Sequence, residues 1–256
     1  ATYGLAGYSA LYWANALTYL IYVCVLVAVI RDNARLEPIT GGYRVVVRDR
    51  AFIHLALTNV AIIAVGWGVF TWVVPPYAKD VIGLSPPLIG LLLLANTATV
   101  VVAQVPIARL AEGRRRVVMI GLAAASFAGA CLLVLVAGVS AGMAYPALLV
   151  ASITVGLGEC FHTTVLMPLV ADLAPANLRG RYMAVMSLAW WVGLAVAPAL
   201  GVPVLSLSPT ATFLAAAAVS LAAAVSALAL ERRLPNASRL TPRSQGAATA
   251  APTVSR

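Results

Sequence analysis

Seven stretches of the chain, near 8–30, 51–74, 87–108, 117–138, 146–170, 182–205 and 211–230, are apolar on every face, and short polar segments separate them. A helix that crosses a bilayer needs about 17 to 25 such residues. A strand of a transmembrane barrel takes about ten, with apolar and polar positions alternating. The unbroken runs of Leu, Val and Ala exclude a barrel. The pattern predicts an all-α polytopic membrane protein with seven transmembrane helices.

The connections divide the chain further. Segment 31–50, RDNARLEPITGGYRVVVRDR, is the longest and most polar of them and contains Pro38 and the Gly41-Gly42 pair. It reads as a linker between a first helix, 1–30, and a compact block of six, 51–230. The tail, 231–256, is rich in Ser, Thr, Pro, Ala and Gly and has few large apolar side chains. Such a composition buries too little surface to offset the entropy of ordering, so a disordered tail is expected.

Composition agrees with the pattern: 62% of the 256 residues are hydrophobic and 10% charged, against about 25% charged in soluble domains. Charge adds a direction. Sixteen of the seventeen Lys and Arg residues fall in 31–50, 109–116, 171–181 and the tail, and only Lys79 lies in a connection on the other side. Cytoplasmic loops carry an excess of Lys and Arg, which predicts a multi-pass protein of the cell (inner) membrane with its C-terminus in the cytoplasm. The +9 net charge is then topology, and no nucleic-acid partner is expected. An odd number of crossings places Ala1 outside, with no initiator Met and no basic leader ahead of it, which reads as truncation at the N-terminus.

Small residues recur every four positions at Gly121, Ala125 and Gly129 and again at Gly193, Ala197 and Gly201, a spacing that lets helix backbones approach closely. Cys24, Cys131 and Cys160 lie on different spans and are expected to be packing residues. Trp72, Tyr77 and Tyr145 lie near span ends and suit an interfacial belt. Of the adjacent pair Trp190 and Trp191, at least one must face protein or a cavity, because neighbours on a helix point about 100° apart.

The candidate chemistry is one short stretch, GLGECFHTTV. Between Val117 and Ala171, Glu159 is the only Asp, Glu, Lys or Arg, and a charge at mid-bilayer costs roughly 2.5 to 3.5 kcal/mol. His162 lies one turn on, nearly on the same face, with Ser152, Gly156 and Thr163 beside it. Two readings stay open. Glu159 lines a central cavity, as a proton carrier or as the partner of a cationic substrate, or it is a structural carboxyl bonded to a neighbouring helix. His162, Asn59, Asn96, Gln104 and Trp190 carry the same pair of readings, pathway residue or interior packing.

Glu159 and His162 also form Glu-x-x-His, a spacing that can place two metal ligands on one helix face. Zinc hydrolases need further ligands, and His54 is the only other histidine; no Gly-x-Ser-x-Gly or Walker loop is present. No metal, cofactor or catalytic residue is expected, and the chain is not expected to be an enzyme. A non-transporting membrane partner or assembly protein remains an alternative.

Two loops carry a resemblance. VPIARLAEGRRRV, 105–117, resembles the loop signature of the major facilitator superfamily, Gly-x-Leu-Ala-Asp-Arg-x-Gly-Arg-Arg: Ala108 stands for the leading Gly, Glu112 for the Asp, and Gly113 with Arg114, Arg115 and Arg116 for the closing Gly-Arg-Arg, with Arg-x missing. In that family the signature is strongest between the second and third helices and weaker between the eighth and ninth. PLVADLAPANLRGRYMAV, 168–185, is similar to the loop between helices ten and eleven of multidrug-efflux-type members, through Asp172, Pro175, Arg179, Gly180, Arg181 and Tyr182. SALYWANALTYL is similar to helix six, and GYRVVVRDRAF to the entry of helix seven.

The resemblance implies helices six to twelve of a twelve-helix secondary transporter whose other half is missing. It implies a small-molecule substrate, protons as coupling ions, the lipid bilayer as solvent, and export by alternating access. It also casts the loop residues Arg109, Glu112, Gly113, Arg114, Arg115, Asp172, Arg179 and Arg181 as a cytoplasmic gate, where the bland reading is topology and lipid contact.

Sidedness is the testable part. Single cysteines placed in 109–116 and in 171–181, in a background without the native three, should react with an impermeant thiol reagent from one and the same side of sealed vesicles. Labelling from opposite sides would contradict the seven-span reading.

Overall fold

The computed structural model describes residues 5–29 and 42–242, and the statements below concern those residues. Seven helices are long and apolar enough to cross a membrane, as the hydrophobic pattern predicts. The first, α1 (Leu5–Val29), belongs to a unit of its own, Ala1–Pro38. The linker from 30 to 41 lies outside the described residues.

The second unit begins earlier than the sequence suggests. Residues 43–48 form a short helix, α2 (Tyr43–Arg48), with Val46 fully buried, so the end of the expected linker belongs to the folded body. The chain then turns at Asp49, whose carboxylate accepts from the amides of Ala51 and Phe52, both at 3.0 Å. These are donors that a helix start leaves unmet, and α3 (Arg50–Val81) begins there. The other Asp49 oxygen accepts from Tyr182 Oη at 2.9 Å.

α3 is not a regular helix throughout. It passes through π-helical turns at Ala64–Val69, which contains Gly66 and Gly68, and at Tyr77–Val81, just after Pro75 and Pro76. Proline removes a helix donor, and such turns re-satisfy the freed carbonyls within the chain, as lipid demands. The remaining elements are α4 (Pro86–Ala111), α5 (Arg116–Ala137), α6 (Ala141–Leu173), α7 (Arg179–Leu207, with a π turn at Ala197–Gly201) and α8 (Pro209–Leu230). α6 has 33 residues, about 50 Å of helix, and overruns the expected span at both ends.

Within the second unit, α3 and α5 are the best covered spanning helices; α4 and α7 are the barest, with 6% and 22% of their spanning windows buried. Exposed Leu93, Val101, Leu188 and Trp191 therefore need lipid or another membrane-embedded surface over them. α5 packs on α6 and α8, α4 on α6, and α3 on α7 and α8. Polar groups pin these contacts: Ser226 of α8 bonds His54 Nε2 at 2.9 Å and Thr58 Oγ1 at 2.7 Å, and Ser220 Oγ donates to the Ala124 carbonyl at 2.9 Å.

Glycines decide where backbones meet. The Phe127 ring of α5 lies between Gly66 and Gly158, where an added Cβ would come within 2.5 and 2.6 Å of it. The stripe Gly193, Ala197, Gly201 does close α7 onto α3, with the Val60 carbonyl 2.6 Å from a Cβ built at Gly193. The other stripe does not behave as its spacing suggests. Gly121 makes only ordinary contact with Leu228, Ala125 is exposed, and Gly129 meets nothing within 4 Å. α5 packs instead through Ala123, Ala124, Phe127, Ala130 and Val134, because the large ring at 127 sets which face turns inward.

All the described basic connections of this unit meet at one end. Arg116 Nη2 donates to Asp172 Oδ2 at 2.6 Å, and Arg115 lies 3.7 Å from Glu231. The tail, expected to be disordered from 231, is folded as far as Pro242: Glu231–Arg233 and Asn236–Ser238 are 3₁₀ turns. Beyond them Thr241 exchanges backbone bonds with Gly113 and Arg114, and Arg116 N donates to Arg239 O, each at 2.9 Å. Backbone pairing to a loop supplies the order that composition does not. Gly113 has φ +69°, which explains glycine at that turn. At the opposite end Tyr77 is buried against Phe213, ring centroids 4.9 Å apart, and is no interfacial belt residue.

Gly158→Ala should lower the stability of the folded chain by about 1–3 kcal/mol through overpacking on Phe127, whereas Gly129→Ala should leave it unchanged or raise it slightly. Thermal or denaturant unfolding in detergent reads both. Equal effects at the two positions would contradict the packing described.

Candidate functional site

Glu159 owes its partner to a glycine one turn before it. A Cβ at Gly156 would meet the Asn96 carbonyl and the Thr99 side chain at 2.9 Å, so glycine there lets α4 lie against α6. That approach brings Asn96 Nδ2 to 3.1 Å from Glu159 Oε1, and the same amide lies 3.5 Å from the Ser152 carbonyl. Further along both helices, Gln104 Nε2 donates to Thr164 Oγ1 at 3.1 Å, and Thr164 in turn donates to the Cys160 carbonyl. The two polar ties join the same helix pair.

The carboxyl is half-buried and lines a cavity of about 70 Å³ between α3, α4 and α6. Asn96, Ser152 and Thr71 supply the other polar groups; Trp67, Phe70, Val74 and Leu92 form much of the apolar wall. The cavity thus holds one carboxyl in a mostly apolar lining, next to an amide that already holds one of its oxygens.

His162 has a different neighbourhood. Its Nε2 lies 2.7 Å from Asn59 Oδ1; an amide oxygen can only accept, so the ring donates. Both residues are 1% exposed, and His162 Nδ1 and Asn59 Nδ2 find no partner among the described residues. The imidazole packs edge-on against Trp67 with centroids 5.1 Å apart, and Trp67 also meets Phe127 at 5.6 Å and Trp190 at 4.8 Å.

Of the six residues singled out for a pathway, Glu159 and Asn96 therefore line the cavity. His162 and Asn59 tie α6 to α3 outside it, Gln104 ties α4 to α6, and Trp190 packs on Trp67. Trp191 is 65% exposed, so the adjacent tryptophans divide as the helical angle requires. Glu-x-x-His does not act as one group, since its two members have separate partners on α4 and α3. Sequence reasoning did not mark Trp67, Phe70 or Thr71; the flanking Gly66 and Gly68 were the available sign.

In the charged loops, Asp172 pairs with Arg116, the last arginine of the loop signature, and Arg115 with Glu231. Arg109, Arg114 and Arg179 are exposed, Gly113 makes the turn, and Arg181 is partly covered, its Nη1 without a partner among the described residues. Arg116 is 1% exposed while the Asp172 side chain is 45% exposed, so the cation is the deeper half of this pair.

The chain matches the family model described as Major Facilitator Superfamily over residues 56–255. No curated protein matches it. The matched range starts within α3 and takes in every later helix, the loop signature at 105–117, the Arg-Gly-Arg-Tyr loop and Glu159. With seven apolar helices and that match, the chain is a multi-pass membrane protein that belongs to the Major Facilitator Superfamily, a family of secondary transporters.

Proposed function

We propose that this chain carries the coupling carboxyl of a proton-driven exporter of cationic or amphipathic small molecules. The observation that supports it most is the placement of Glu159, half-buried on a cavity between α3, α4 and α6, with Asn96 as its hydrogen-bond partner. One carboxylate can be neutralised by a proton or by a cation, and by one of them at a time. Competition for a single acid is the simplest physical basis for exchanging one against the other, because each occupant changes the relative stability of the two open states.

In the family's terms the chain corresponds to helices six to twelve. The bare faces of α4 and α7 suit contact with an N-terminal half of the same polypeptide, with the substrate site near the midplane between the halves. The basic end faces the cytoplasm, which sets the C-terminus inside and the protein in the cell (inner) membrane. At that end Arg116–Asp172 and Arg115–Glu231 hold the loops of the gate together, and both depend on which state is closed.

Glu159→Gln in the complete protein should abolish export of a lipophilic-cation dye, such as ethidium, driven by an imposed pH gradient in proteoliposomes. Expression and membrane insertion should stay intact. Unchanged proton-driven flux would reduce Glu159 to a structural residue.

A further inference from the structure

We propose that Trp67 is the specificity-determining residue of the Glu159 cavity, and that the group it selects is a substituted ammonium. The inference rests on the reading of Glu159 as a cation-facing carboxyl and goes beyond it by naming a second recognition residue and a ligand class.

Three observations meet at Trp67. Its side chain lines the same cavity as Glu159 and Asn96. Its ring is packed against His162, Phe127 and Trp190 at centroid distances of 5.1, 5.6 and 4.8 Å, and yet it remains only partly covered. Its backbone lies in the π-helical turn Ala64–Val69 between two glycines that leave no room for a Cβ, Gly66 against Phe127 and Gly68 against Ala197. A large aromatic side chain is therefore held in one place by neighbours on three other helices, at the wall of a cavity that contains one acid. Preorganisation of this kind lowers the ordering cost of binding.

The lining selects among cations. A metal ion such as Na⁺ or Ca²⁺ needs about six oxygen ligands in place of its water, and no group of three His, Cys, Asp or Glu that could hold a metal occurs among the described residues. A guanidinium needs acceptors for five N–H groups, and here one carboxyl oxygen already accepts from Asn96. A tertiary or quaternary ammonium asks for at most one acceptor. It is satisfied by a single negative charge and by aromatic and methyl-sized contacts, which an aromatic ring beside a carboxylate provides. A cavity of about 70 Å³ is far below the roughly 300 Å³ and more of sites that enclose a drug-sized ligand. It takes the charged head group, and the rest of the molecule lies outside it.

The test measures binding of choline and of its uncharged carbon isostere, 3,3-dimethylbutan-1-ol, to the full chain in nanodiscs by calorimetry. Wild type should prefer choline. Trp67→Leu should weaken choline about fivefold and leave the isostere unchanged; Trp67→Phe, which keeps a ring, should lose less than half of the preference. Glu159→Gln should remove the preference altogether. Should Trp67→Leu fail to fold, Trp67→Phe carries the test alone, as an intermediate loss confined to choline. Equal weakening of both ligands by either variant overturns the inference, since that is the mark of damaged packing. Unchanged choline binding in Trp67→Leu, with loss in Glu159→Gln, overturns it while the carboxyl reading stands. A preference for choline that survives Glu159→Gln overturns both, and a wild type that does not distinguish the two ligands overturns the ammonium class.

Discussion

A carboxyl group halfway across a membrane has to be answered by protein, because lipid offers it neither a donor nor a counter-charge. Here the answer is Asn96 of α4, and it arrives because residue 156 is glycine and lets α4 lie against α6. On the other side of α6, Gly158 receives the Phe127 ring, which also fills the notch at Gly66 of α3. The backbones of three helices are thus brought to one place by glycines at 66, 156 and 158. The space left between α3, α4 and α6 is the cavity in which Glu159 stands.

The same rule governs the rest of the interior. Asn59 and His162 join α3 to α6, Gln104 and Thr164 join α4 to α6, and His54 and Thr58 share Ser226 of α8. At the basic end, charge takes over from hydrogen bonds between neutral groups: Arg116 meets Asp172, Arg115 meets Glu231, and Tyr182 meets Asp49. The strap from Arg239 to Thr241 closes over that end by pairing with the loop at 113–116. Ties at both mid-depth and end suit a unit that moves as one body against another, which is how alternating access works in this family.

The helices were legible because lipid imposes a strict length and polarity on whatever crosses it, and the sorting of arginines was legible because it is written in the loops. Glu159 stood out for the same reason: a lone acid is costly in such a segment. Interior pairing was less legible. Asn96 and Asn59 were marked as polar residues in spans, but which of them meets Glu159 depends on helix rotation, and that is set by bulky residues such as Phe127. This is also why Gly193, Ala197 and Gly201 mark a real contact while Gly121, Ala125 and Gly129, with the same spacing, do not. Order in 231–242 could not be read from composition, since it comes from backbone bonds to a loop more than a hundred residues away. Trp67 went unmarked because a tryptophan in a greasy helix has no distinctive pattern; its importance comes from the π turn and the glycines around it.

The central claim is that Asn96 and Glu159 act on each other across the α4–α6 contact. A double-mutant cycle measures this most directly, with unfolding free energies for wild type, Asn96→Ala, Glu159→Gln and the double variant under one set of detergent conditions. The account predicts a coupling energy of about 0.5–1 kcal/mol, the range of interhelical hydrogen bonds in membranes. Strict additivity of the two substitutions would contradict it.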